Sequence, residues 1–156
     1  MMQFILSNKP VLVGLHLGFA ILGIDLLLWL AGEVAANVRS NVRMKWVSLG
    51  AVLSFILSWL VGGYYYVKYY GPIVKPIIKA GSAPWAHAIA MEAKEHIFLF
   101  IVPMAVTLFL LSQLKSEEVR EFNLRSSFLQ LSALAAGLGL LLGLMGFVIS
   151  AAARWS

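Results

Sequence analysis

The sequence predicts an all-α integral membrane protein, a single domain over residues 1–156 in which four transmembrane helices form an up-down bundle. Of its 156 residues, 61% are hydrophobic and only 12% are charged, whereas a soluble domain carries about 25% charged residues. No apolar run shows strand alternation, and separate spans can satisfy their backbone polar groups in lipid only as helices. The runs, each near the roughly 20 residues needed to cross a bilayer, are about 11–31, 46–66, 86–112 and 127–153.

Composition also narrows the classes of partner and cofactor. The chain has no cysteine, which excludes disulfides, thiolate metal sites and c-type haem attachment. Its net charge of +5 is spread over the connections between the apolar runs, which is typical of cations at lipid headgroups and not of a nucleic-acid interface. We therefore expect the lipid bilayer as the main partner, no nucleic acid, and a location in a bacterial or organellar inner membrane.

The connection between the second and third runs is aromatic and basic. All five tyrosines fall within residues 64–70, where they form either an aromatic belt at headgroup level or part of a cofactor or quinone pocket. The sequence of residues 73–79 predicts a short interfacial helix lying on the membrane.

Both termini are expected on the same side of a four-span bundle. Because the Lys and Arg residues are divided evenly between the two sides of the membrane, the positive-inside rule does not decide the orientation.

Polar and small residues inside the apolar runs predict two features: a layer of polar side chains deeper in the bundle, here called the lower layer, and a helix-packing face. The lower layer is centred on Asp25, with Ser54, Thr107 and Ser132 at the same depth. We interpret the small residues of the fourth run as a helix-packing surface, although a flat cofactor could use the same groove. They recur at spacings of four and three along one helix face: Ser132, Ala136, Gly139, Gly143, Gly146 and Ser150.

An upper polar layer holds the residues best suited to chemistry. His16 lies early in the first run and His96 at the start of the strictly apolar part of the third, so an up-down bundle places both imidazoles at similar depth. Glu92 lies one helical turn before His96 on the same face. An ionisable side chain inside the membrane costs roughly 2.5–3.5 kcal/mol on insertion scales, which makes these residues a functional hypothesis by default.

The first hypothesis is a single b-type haem. Such a haem in a helix bundle needs one or two axial imidazoles across a slot lined by small and aromatic residues. The candidate ligands are His16 and His96, and Lys94 could pair with a propionate. The expected role is electron transfer as a redox subunit, with a partner protein or a quinone. Small residues that would make room for the ring are Gly18, Gly62 and Gly146.

Two alternatives stay open. In the first, His16, Glu92 and His96 hold a metal ion, because a mixed nitrogen and oxygen ligand set suits Cu, Fe or Zn. In the second, the chain binds no cofactor and is an accessory or assembly subunit of a larger membrane complex, whose glycine faces grip partner helices. All three hypotheses describe an electron-transfer or accessory subunit more readily than a stand-alone enzyme.

The same residues carry a resemblance to known membrane proteins. An early histidine, His16, and a third span that begins with Trp85, Lys94 and His96 resemble small four-helix membrane proteins of the copper-resistance CopD-like and haem-linked protoporphyrinogen oxidase type, and also four-helix membrane cytochromes b. In the oxidase-type pattern the Trp and the Lys stand closer together than Trp85 and Lys94 do. The resemblance therefore implies haem or copper binding but not a specific oxidase activity.

Overall fold

The computed structural model describes residues 2–37 and 40–155, which are helical apart from short connections and contain no strand. Two of the helical segments, here named π1 and π2, are π-helices with the wider i→i+5 turn. In chain order the elements are α1 (Met2–Ser7), α2 (Lys9–Ala35), α3 (Asn41–Tyr65), π1 (Tyr66–Val74), α4 (Lys75–Ala80), π2 (Ala86–Met91), α5 (Glu92–Leu111), α6 (Ser116–Glu121) and α7 (Arg125–Ala152).

Within the part of the chain that the structure describes, four helical stretches are long and apolar enough to cross a membrane, on length and composition alone. They overlap the four runs predicted from the sequence, so the all-α fold and the number of candidate spans are confirmed at this level. The second stretch is longer than its predicted run, with 40 residues, because π1 and α4 continue α3 without a break. The four are Lys9–Ala35, Asn41–Ala80, Ala86–Leu111 and Arg125–Ala152.

The short helix predicted at residues 73–79 is present as α4, but it is the end of a continuous helical stretch and not a separate element. Its Ile78 is completely buried and belongs to a cluster with Tyr70 and Ala86. The adjacent Ile77 is exposed. One face of α4 therefore packs against the bundle, which holds the connection close to the start of the third span.

The four spans form a ring. α2 packs against α3 and α7, and α5 packs against the same two helices from the other side. α2 and α5 therefore lie on one diagonal, and side chains from either can meet only through the centre of the ring. This order is the one expected for an up-down bundle with short connections.

Glycines let the helices of the ring approach closely. An added Cβ on Gly23 would lie 2.9 Å from the Phe55 ring, and one on Gly139 would lie 2.7 Å from Cγ1 of Ile24. In the small-residue face of α7, Ser132 and Gly139 are buried whereas Gly143 is exposed, so only the first half of this face packs as predicted. The completely buried large side chains of this core include Leu27, Leu30, Phe55, Ile101, Leu108 and Phe128.

The predicted lower polar layer around Asp25 is not assembled. Asp25 is exposed on the bundle surface and makes no hydrogen bond or ion pair within residues 2–37 and 40–155. The hydroxyl groups of Thr107 and Ser132 donate to main-chain oxygens one turn earlier in their own helices, those of Pro103 and Phe128. The prediction is wrong because Asp25 and Thr107 lie on exposed faces of their helices, whereas Ser54 and Ser132 are buried.

Other polar contacts hold this end of the bundle together. The carboxylate of Glu33 accepts hydrogen bonds from Nε1 of Trp29 at 2.9 Å and from Arg43 at 2.6 Å. The hydroxyl groups of Ser48 and Ser112 meet at 2.8 Å in a buried position. The first contact ties α2 to the start of α3, and the second ties α3 to the end of α5.

Candidate functional site

His16 joins the first two spans. Its ring Nδ1 lies 2.9 Å from the main-chain oxygen of Ser58 and 3.0 Å from the hydroxyl oxygen of the same residue. The Ser58 hydroxyl donates in turn to the main-chain oxygen of His16 at 2.9 Å. The ring lies against Gly62, where an added Cβ would be 2.6 Å from Nδ1. The glycine one turn after the serine therefore provides the space in which these hydrogen bonds form.

These bonds fix the tautomer of His16. A carbonyl oxygen can only accept, so Nδ1 carries the proton and Nε2 keeps its lone pair. The Ser58 hydroxyl fits this assignment, because its own proton is directed to the His16 carbonyl and its oxygen is free to accept. An imidazole held through Nδ1 in this way is the usual arrangement of histidines that bind a metal through Nε2.

Lys94 enters the same region from the third span. Its Nζ lies 3.3 Å from the position of a Cβ added to Gly146, and its charge acts on His16 across the diagonal of the ring. Within the described part of the chain its ammonium group makes no hydrogen bond or ion pair, and the carboxylate of Glu95 is the charge that acts on it. Four of the six residues predicted to bind a cofactor thus converge: His16, Gly62, Lys94 and Gly146.

The other two, His96 and Gly18, lie outside this group. His96 follows Lys94 by two residues, a rotation of about 200° around the helix, and its side chain is exposed on the bundle surface. Its Nδ1 donates to the main-chain oxygen of Glu92 at 2.6 Å, so Nε2 again keeps the lone pair. Gly18 is also exposed, and an added Cβ there would have no neighbour within 4 Å. The rings of His16 and His96 therefore do not face each other in this structure.

The predicted metal ligands His16, Glu92 and His96 are not brought together either. Among the described residues, no group of three or more His, Asp or Glu side chains is placed to hold a metal ion. Glu92 is exposed, and its Oε1 lies 3.8 Å from Nε2 of His87, whereas His96 contacts only the main chain of that glutamate. The spacing places Glu92 and His96 on one face, but that face is the outer one.

A second polar group, which the sequence interpretation missed, lies between π1 and π2. Tyr70 and His87 are only 2% and 4% exposed, and the Tyr70 hydroxyl is 3.1 Å from Nδ1 of His87. On the other side of the imidazole, Nε2 faces the carboxylate of Glu92. The three groups therefore form a series of phenol, imidazole and carboxylate that runs from the interior to the surface of the bundle.

A second tyrosine extends this series. The ring of Tyr66 is stacked on that of Tyr70, with 5.2 Å between centroids and 23° between planes. The carboxylate of Glu95 acts on both rings. Because π-helical turns are rare and are frequent at functional sites, their occurrence on both sides of the Tyr70–His87 bond makes this group a second candidate site.

The remaining tyrosines are less buried than Tyr70: Tyr64 is exposed, and Tyr65 and Tyr69 are half-buried. Tyr69 donates to the main-chain oxygen of Leu6 and has the Lys9 ammonium 5.5 Å above its ring. An open groove of about 460 Å³ has Tyr64 and Tyr69 in its lining but no histidine. A tyrosine-lined pocket, the other interpretation of these residues, would therefore be separate from His16.

Comparison of the chain with protein-family models, with curated proteins and with solved structures gave no match. The function is therefore argued from the geometry and chemistry of the residues described above.

Proposed function

We propose that this chain is an integral membrane subunit of a larger membrane assembly, in which another subunit covers the outer face of α5. The proposal includes up-down spans, both termini on one side of the bilayer, α4 at headgroup level, and a bacterial or organellar inner membrane. Its main support is the position of His96, which is exposed within the apolar helical stretch Ala86–Leu111. Asp25 is a second exposed ionisable group, within Lys9–Ala35 on the opposite side of the ring.

The cost of leaving these groups in lipid argues for a partner. An ionisable side chain at the centre of a membrane helix costs roughly 2.5–3.5 kcal/mol, and such groups usually face a bundle interior or another protein. His96 has no access to the interior, because Lys94 occupies the inner side of α5 at that level. Glu92 and Thr107 are exposed as well. Together with His96 they form a line of polar side chains along the outer face of α5, which fits a second helix that carries hydrogen-bonding side chains.

Affinity purification of the tagged chain from its native membranes in mild detergent tests this proposal. The wild type should keep a companion transmembrane subunit, and His96→Leu and Thr107→Val should lose it. Leu140→Phe is the matched control, since Leu140 is exposed on α7, at a distance from this line, and this variant should keep the companion. A chain that stays monomeric in nanodiscs formed directly from native membranes would exclude the proposal, as would a companion retained by all variants.

A second candidate function is electron transfer through a b-type haem, and the two imidazoles favour it. His16 and His96 each direct Nδ1 to a main-chain oxygen, so each offers Nε2 as a ligand atom. At the outer face of α5, Nε2 of His96 would hold the haem iron together with a group of the covering subunit. A bound haem would supply one-electron transfer to a redox partner or a quinone; Cu, Fe or Zn are the alternatives for the same imidazole nitrogens.

The visible spectrum of the assembly purified from haem-replete cells tests this second candidate. A Soret band is expected, and His96→Ala should abolish or shift it, while His87→Ala serves as the control because its Nδ1 is occupied by the hydrogen bond with the Tyr70 hydroxyl group. Elemental analysis of the same sample detects a bound metal without haem. A colourless, metal-free assembly would exclude the cofactor and leave the subunit proposal standing.

A further inference from the structure

We propose that Tyr70 is a site of reversible one-electron oxidation in which its phenolic proton moves to His87. The inference is independent of the proposed function, because it rests on the contacts among Tyr70, His87 and Glu92. Water is excluded from the phenol, which is 2% exposed. The 3.1 Å separation between its oxygen and Nδ1 of His87 is within the range in which a base accepts a proton directly.

The oxidation balances within these groups and one external oxidant. One electron leaves the Tyr70 ring for a one-electron oxidant of the class of an oxidised haem or metal centre. The phenolic O–H bond breaks and its proton passes to Nδ1, which gives a neutral tyrosyl radical, an imidazolium and the reduced oxidant. Return of one electron to the ring and of the proton to the oxygen restores the starting state.

The surroundings of His87 suit a temporary positive charge. The new imidazolium directs its Nε2–H at Glu92, whose Oε1 is 3.8 Å away. The other charged groups that act on His87 are the carboxylate of Glu95 and the ammonium groups of Lys75 and Lys79. The two carboxylates oppose the repulsion from the two lysines, and the carboxylate of Glu92 lies at the surface of the bundle.

The other tyrosines lack this combination of burial and a nitrogen base. Tyr69 donates to a carbonyl oxygen, which does not act as a proton acceptor at neutral pH. Tyr64 is 37% exposed, so a radical there would be open to reductants in water. Tyr66 is the nearest competitor, because Glu95 acts on it, and its stacked ring also offers the electron a path out of the interior.

Photo-oxidation of the chain in lipid nanodiscs tests the proposal. Tris(bipyridine)ruthenium, oxidised by light and persulfate, is the one-electron oxidant, and the sample is frozen for electron paramagnetic resonance. Wild type should give a neutral tyrosyl radical whose hyperfine structure collapses when the protein carries ring-deuterated tyrosine. Tyr70→Phe should lose the signal, and Tyr64→Phe and Tyr66→Phe should retain it.

The role of the imidazole is tested in the same experiment. His87→Leu should reduce the radical yield to the Tyr70→Phe background. Where this variant fails to elute as a folded helical protein, Glu92→Gln takes its place and should shorten the radical lifetime, because the imidazolium loses its facing carboxylate. A full signal in Tyr70→Phe would overturn the proposal, as would a signal lost only in Tyr66→Phe, or folded histidine and glutamate variants with unchanged yield and lifetime.

Discussion

Replacement of Gly62 by alanine should disrupt the contact that holds His16 against α3. An added Cβ would lie 2.6 Å from Nδ1 and 2.8 Å from Cε1 of the imidazole, and the ring cannot move away without losing its bonds to Ser58. Overpacking of this kind costs about 1–3 kcal/mol, and each lost interhelical hydrogen bond adds about 0.6 kcal/mol. The free energy of unfolding should therefore fall by about 2–4 kcal/mol.

Gly63 is the matched control for this prediction. It precedes the end of the same helix, and an added Cβ there would meet nothing within 4 Å. Alanine is favoured over glycine in a helix by about 1 kcal/mol, so Gly63→Ala should be neutral or stabilising. The two variants are compared by unfolding in mixed detergent micelles, followed by circular dichroism. Equal stability of the two would show that the imidazole of His16 is not held against Gly62.

Two further predictions concern other contacts in the bundle. Gly139→Ala should lower the melting temperature, because its Cβ would lie 2.7 Å from Cγ1 of Ile24, whereas Gly137→Ala has open space and should not. When Gly139→Ala is combined with Ile24→Ala, the two changes in stability should be strongly coupled. Changes in stability that simply add would contradict the contact. Glu33→Gln should lower the melting temperature only slightly, because its partner Arg43 is 43% exposed and solvent screens the pair. Added salt should lower the melting temperature of the wild type more than that of Glu33→Gln, and an equal effect on both would argue against the ion pair.

The depth of the site residues could be predicted from the sequence, but the direction in which they face could not. Depth grows by 1.5 Å per residue, so an error of one or two residues still places His16, Gly62 and Gly146 at one level, as the structure does. The direction in which a side chain faces changes by 100° per residue, so an error of two residues places it on the opposite side of the helix. Lys94 and His96 differ by two residues, and the sequence alone does not show which of them enters the interior.

The π-helical segments explain why the pair Tyr70 and His87 was missed. A regular helix extended back from His96 places His87 on the opposite face, but π2 covers residues 86–91, and its wider turn changes the rotation of every residue in it. In π1, the wider turn relieves the clash that the ring of Pro72 would have in an α-helix with the carbonyl group four residues earlier. The buried phenol and imidazole then satisfy each other's hydrogen bonds, as buried polar groups must. The irregular turns and the buried bond therefore support each other, and a regular helical pattern in the sequence can indicate neither.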